Sequence, residues 1–299
     1  MNKSDILRII SLFTILLIIG GFITLARTDE GLVLYLPMDE NTGSFASDQS
    51  GNNNHGTIYG AIWTTGKVGS ALNFDGNDSY VDCGIDSSFD ITSAITIEAW
   101  VYVYGANKDQ YQELVAKWHK NDGNAFAYLL ELRPDGRTVQ FQPNIAGVGI
   151  RSAVSSTFIN FNEWIFIVGT YDGSTIRVYV NGVETGSNSV SGSIAQSDAP
   201  LIIGAHNHTL HKNVLNGKID EIRIYNRALS VSEIQDHYDN LGSSTTVSQS
   251  ASSSVDIWRE LERLGLVIAI ISGTIAILGA ILGAIIVIIK WLISRKENN

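Results

Sequence analysis

Five oxygen-bearing side chains in this chain are placed to hold a hard cation: Asp39, Asp48, Asn53, Asp75 and Asp220. Calcium takes about six to eight oxygens from carboxylates, amides, backbone carbonyls and water. All five fall at turns or strand ends, where a fold can bring early and late segments together. Acids at turns also have a plainer use, accepting hydrogen bonds from nearby backbone N–H groups. Three aromatic residues, Trp63, Tyr111 and Trp118, border polar loops. A ring in such a place can stack on a sugar while neighbouring acids and amides take the hydroxyls, or it can simply pack. Trp100 and Trp164 lie within apolar runs and are expected in the core. His206, His208 and His211 fall within six residues, and strand alternation would put the first two on one face. That spacing can suit a transition metal, but no thiolate or third ligand accompanies it. The plainer reading is an exposed polar loop.

Catalysis finds little support. Retaining glycoside hydrolysis needs two carboxylates at a fixed short separation. Glu98 is followed by Ala99 and Trp100, while Glu131 and Asp135 straddle Pro134 and cannot share a strand face. No Gly-x-Ser-x-Gly elbow or phosphate-binding loop occurs. The chain is therefore expected to bind and not to catalyse. Its net charge of −10 offers no basic stripe for phosphates, which argues against a nucleic-acid partner.

The elements that must position these residues read as β structure. Among 299 residues there are 28 glycines and only 4 prolines. Turn signals recur at short spacing, and strands are expected over residues 32–36, 69–75, 80–84, 95–103, 114–118, 127–132, 139–142, 164–171, 175–180, 201–204 and 219–225. From Ile219 to Tyr225 alternation sets Ile219, Glu221, Arg223 and Tyr225 on one face, and Asp220, Ile222, Ile224 and Asn226 on the other. Ser230 then opens a short helix, with Glu233 completing a capping box. Many short strands and almost no helix imply a sandwich or barrel. Cys83 is the only cysteine, so no intrachain disulfide can form and stability must come from the core or a metal.

An ordered set of segments gives this pattern a resemblance. It comprises residues 48–56, Ala71-Leu72-Asn73-Phe74-Asp75-Gly76, residues 97–101, Trp164 with Gly169-Thr170-Tyr171-Asp172-Gly173, residues 178–182 and the closing stretch 216–230. Together they resemble the laminin G-like, concanavalin A-like lectin/glucanase family over residues 31–240, roughly seven tenths of the chain. The resemblance implies an all-β, two-sheet antiparallel jelly-roll sandwich. It also implies a structural calcium beside an acidic residue of the late strand, here Asp220, with further ligands from the early loops. Laminarinase-type relatives carry Glu-x-Asp-x-x-Glu on one strand, and that motif is absent here.

Two apolar segments flank the domain. Residues 1–28 hold an apolar run after Lys3 and Arg8 and suit a signal peptide or a membrane anchor. The jelly roll is expected over 29–240 and a Ser/Thr-rich linker over 241–256. A juxtamembrane helix over 257–263, a transmembrane helix over 264–292 and a cytoplasmic tail over 293–299 follow. Basic residues at both ends place the jelly roll outside the membrane, on a cell or virion, with both termini cytoplasmic unless the first segment is cleaved. Gly279 and Gly283 sit four apart in the last helix, a spacing that permits close packing against a second copy. The whole reads as a membrane-anchored recognition or adhesion module for carbohydrate or a surface protein. An envelope or surface-layer component that assembles through its jelly roll is the alternative, and a glycoside hydrolase is a more distant one.

Overall fold

A computed structural model of the chain describes residues 30–107, 110–118, 126–206 and 213–242. The expected segments 1–28, 257–263, 264–292 and 293–299, together with Gly279, Gly283, His208 and His211, lie outside the described residues. No helix among the described residues is long and apolar enough to cross a membrane.

The chain opens with six strands, β1 (Leu32–Leu36), β2 (Phe45–Ala46), β3 (Gly56–Tyr59), β4 (Ile62–Thr65), β5 (Ser70–Asp75) and β6 (Tyr80–Asp82). The middle holds β7 (Ile95–Val103), β8 (Gln112–Trp118), β9 (Phe126–Leu132), β10 (Val139–Ile145), β11 (Gly149–Ile150) and β12 (Ala153–Val154). Last come β13 (Trp164–Tyr171), β14 (Thr175–Val180), β15 (Val183–Ser189), β16 (Leu201–Ile203), β17 (Asn216–Tyr225) and helix α1 (Val231–Gly242). One eight-stranded sheet runs β15-β14-β13-β7-β17-β5-β4, with β1 also on β17; the other has nine strands, β11-β10-β9-β8-β16-β6-β3-β2, with β12 on β10. All the pairings are antiparallel. This is the expected two-sheet sandwich.

Apolar residues of both sheets fill the space between them, among them Leu34, Phe74, Ile97, Val115, Leu130, Phe141, Ile167 and Ile203. The expected strand β7 matches at both ends, and eight of its nine residues are buried. Its inner face packs on the other sheet, and its outer face lies under α1. Trp100, Phe166, Tyr225 and Ile234 form that second core, with Tyr238 and Leu241 packed on it. So Trp100 is buried, as expected, but beneath the helix and not between the sheets. Leu241, expected in the linker, belongs to the helix.

Strand β17 lies inside its sheet, with β7 along one side and β5 and then β1 along the other. The expected alternation along it fails at one point. Asp220 pairs with Trp100 and Arg223 with Glu98, so Glu221 and Ile222 together oppose Ala99. Glu221 takes φ 55° at this bulge. The extra residue resets the side-chain phase. Ile219, Ile222 and Ile224 therefore all point into the central core, while Asp220 lies on the opposite face with Trp100. The capping box forms as read: the Ser230 N–H donates to Glu233 Oε2 (2.8 Å), and the Glu233 N–H donates to Ser230 Oγ (3.3 Å).

The sheets approach closely where Gly169 of β13 faces Phe141 of β10. A methyl group at Gly169 would lie 2.5 Å from the Phe141 ring. Gly169→Ala is thus expected to destabilise the domain by about 1–3 kcal/mol. Urea unfolding of the variant against the native chain measures this, and equal midpoints would show that the ring relaxes freely.

Candidate functional site

Two groups of acids and aromatics merit comparison. The five candidate cation ligands do not assemble into one cluster. Asp48 is spent on its own loop: it accepts from the N–H groups of Tyr35, Ser50 and Asn54 and from the Ser50 hydroxyl. Asp75 does the same for Asn77, Asp78 and Ser79. Asn53 is exposed at φ 60°. Those three fit the plainer turn role. Asp39 and Asp220, by contrast, converge on the turn between β4 and β5. Asp220 Oδ2 accepts from the N–H groups of Lys67 (2.8 Å) and Val68 (3.0 Å), while Asp39 Oδ1 accepts from Ser70 (2.9 Å). Asp220 Oδ1 is buried with no hydrogen-bond partner. Burial first, then the charges of Glu221 and Asp39, push the Asp220 carboxyl up to about 8. Among the described residues, no three His, Cys, Asp or Glu side chains gather closely enough to hold a metal by themselves.

The aromatic candidates also separate. Trp63 packs on the central core and donates its indole N–H to the Gly43 carbonyl (2.8 Å). Tyr111 and Trp118, at the two ends of β8, line one cleft of about 220 Å³ with Phe126, Leu129, Glu131, Gln142, Ile150 and Asn213. The cleft lies on the face of the nine-stranded sheet turned away from the other sheet. Its lining includes Leu129 and Gln142, the end of a cross-strand row that continues through Ala116 to Ile202. Trp118 meets Phe126 edge-on, with ring centroids 5.4 Å apart.

Beside this row sits a pair of carboxylates. Glu113 and Glu131 are direct partners across β8 and β9. Directly opposed residues have Cβ atoms about 4.5–5.5 Å apart on one face. Glu113 is fully buried. Its Oε1 accepts from Asn213 Nδ2 (3.0 Å) and contacts His206 Nδ1 (2.8 Å), while its Oε2 has no partner. Glu131 Oε1 accepts from Gln142 Nε2. Burial raises the Glu113 carboxyl, and the His206 and Asn213 contacts oppose the rise. Burial and then the neighbouring Glu113 charge push Glu131 up to about 8. His206, expected on an exposed loop, is 3% exposed and stands edge-on to Trp118. A buried carboxylate partner and an indole wall offset the solvation the imidazole gives up there.

Sequence reasoning missed the Glu113–Glu131 pair because β8 is bulged between Glu113 and Val115. Leu114 and Val115 both enter the central core, so alternation does not reveal that Glu113 faces away from it. Glu98, the isolated strand carboxylate, is no part of the cleft. It lies under α1, where it meets His237 Nδ1 (2.9 Å) and Arg223 (3.5 Å).

The raised Glu131 carboxyl has a pH signature. In the unfolded chain it ionises near its ordinary value of about 4.3, and in the folded chain only near 8. Between those values the folded state holds more protons, so its stability falls as pH rises. Thermal unfolding at fixed calcium is expected to show a lower Tm at pH 8 than at pH 5, with Glu131→Gln removing part of the loss. An identical pH profile in the variant would show that Glu131 is ionised throughout.

The chain matches the model of the concanavalin A-like lectin/glucanases superfamily over residues 75–235, just over half its length. No curated protein sequence matches it. Among solved structures it is similar to the binding domain of Paraclostridial Mosquitocidal Protein 1, with 20% identity and a TM-score of 0.58 over 72% of this chain and 53% of that one. It is also similar to domain 4 of AbnA, a GH43 extracellular arabinanase from Geobacillus stearothermophilus, solved with arabinotriose. There the identity is 21% and the TM-score 0.54, over 69% of this chain and 97% of that domain. A third is the botulinum neurotoxin serotype D ligand-binding domain, solved with N-acetylneuraminic acid, with 15% identity and a TM-score of 0.52 over 71% and 51%. The chain spans about half the length of the toxin domains it matches. The family match and the two-sheet antiparallel sandwich agree: this chain belongs to the concanavalin A-like lectin/glucanases superfamily.

Proposed function

We propose that the chain is a glycan-binding module held outside a membrane by its terminal apolar segments, and that it binds sugar without hydrolysing it. The observation that carries this reading is the cleft at Tyr111 and Trp118, where aromatic walls stand over buried acids and amides. Such a mixture suits a sugar, whose C–H face packs on rings and whose hydroxyls need polar partners. The arabinotriose and N-acetylneuraminic acid complexes of similarly folded domains support it by analogy of fold. Calorimetric titration of the full chain with oligosaccharides is expected to find a binder, and Trp118→Ala should weaken that binding about tenfold or more. Undiminished binding in Trp118→Ala would move the site elsewhere. One observation favours hydrolysis instead, namely the Glu113–Glu131 pair, because retaining enzymes use two close carboxyl groups. Release of reducing sugar by the native chain, abolished in Glu131→Gln, would replace binding with catalysis.

We also propose a structural calcium at Asp39 and Asp220. Two acids at one turn, one with an orphaned buried oxygen, suit a hard cation, and backbone carbonyls and water would complete its shell. The ion would tie the chain after β1 to the late strand β17. At free calcium a hundredfold above the dissociation constant, it would add about 2.7 kcal/mol of stability. EDTA is expected to lower the Tm by several degrees, calcium to restore it, and Asp220→Ala to abolish the response. A native chain that melts alike in EDTA and in calcium would remove the ion and leave Asp220 as the acceptor that shapes the turn.

A further inference from the structure

We propose that the sugar taken by the Tyr111–Trp118 cleft carries a protonated amine. The inference rests on the glycan-binding reading and narrows it to basic saccharides. Its ground is the balance of donors and acceptors around the cleft. Each of the two side-chain amides gives one of its two N–H groups to an acid, Gln142 to Glu131 and Asn213 to Glu113. Among the described residues, no lysine or arginine lines the cleft. Glu131 lines the cleft, and behind it Glu113, which does not, keeps its Oε2 buried without a partner. Glu113 and Glu131 share one sheet face as direct cross-strand partners, so a cation placed beside them would favour the ionised form of both.

An ammonium group matches this arrangement in every respect. It brings three donors and no acceptor, so it leaves nothing unsatisfied against carboxylates. It brings the charge that two neighbouring buried acids lack, and it can sit over the aromatic rings of Tyr111, Trp118 and Phe126. Of the groups facing the pair, His206 contacts Glu113, and exposed Arg133 helps Glu131 ionise. Arg133 does not line the cleft. An acidic sugar would instead place its carboxylate against Glu113 and Glu131, across a chain of net charge −10.

The test compares two ligands with one backbone, a β-1,4-linked glucosamine tetrasaccharide and its fully N-acetylated counterpart. Each is titrated into the full chain at a pH where the free amine is protonated. The amine form is expected to bind at least tenfold more tightly, since a desolvated charge pair is at stake. Glu131→Gln should bring that ratio toward one, with folding checked by circular dichroism and Tm. Equal affinities that both fall in Trp118→Ala would overturn the amine preference while leaving the glycan site standing. No binding of either form would count against both readings. A ratio that survives in both Trp118→Ala and Glu131→Gln would show attraction to the acidic surface at large, and would also overturn the proposal.

Discussion

Phe141 of β10 presses on the backbone of Gly169 in β13, and the whole sandwich is organised by contacts of this kind between its two sheets. Every long strand must give one face to that shared space. Where strict alternation would turn a polar side chain inward, the strand bulges and resets its phase, as β17 does at Glu221 and β8 does after Glu113. The bulges are thus consequences of core formation. They also decide which polar groups end up on the outer faces, and so where chemistry can happen.

The two outer faces fare differently. On the eight-stranded sheet, α1 covers Trp100 and Phe166 with Ile234 and Tyr238. The charged groups left beneath the helix pair with one another, while Trp100 Nε1 stays without a hydrogen-bond partner: Glu98 meets His237 and Arg223, and Arg223 also pairs with Glu221 (2.6 Å) while lying over the Tyr35 ring. Charges there are neutralised locally, which suits a face that holds the fold together. On the nine-stranded sheet, Tyr111, Trp118 and Phe126 border an open cleft, and the carboxyl pair at its edge is only half satisfied. Unmatched acids beside the partly exposed Tyr111 and Trp118 rings suit a ligand-binding surface.

The acids of the loops show the same contrast on a smaller scale. Asp48 and Asp75 spend their oxygens on the N–H groups of their own turns. Asp220 receives two such bonds on one oxygen and leaves the other buried and bare, with Asp39 close by. In both environments the carboxylate accepts from the backbone of a turn, so residue type alone does not separate them. The difference is which segment the fold lays across each carboxylate.

What the sequence determined by itself is the sandwich and its main strands, because those signals are local. Strands β1, β7, β13 and β14 have the expected bounds, and Ser230 with Glu233 makes the expected cap, since period, turn residues and caps act within a few neighbours. The strand Val183–Ser189 carried no such signal: it is an exposed polar edge, held by pairing with β14 and not by an apolar face. Among the site residues, Tyr111 and Trp118 were legible as aromatics beside polar loops. Trp63 looked the same but found its partner in the Gly43 carbonyl. Only the tertiary structure decided that Glu113 and Glu131 are neighbours, that His206 is buried between a carboxylate and an indole, and that Asp220 meets Asp39. These pairs join segments from 18 to nearly 200 residues apart, through register and bulges fixed by packing of the whole sandwich, and no local pattern encodes that distance.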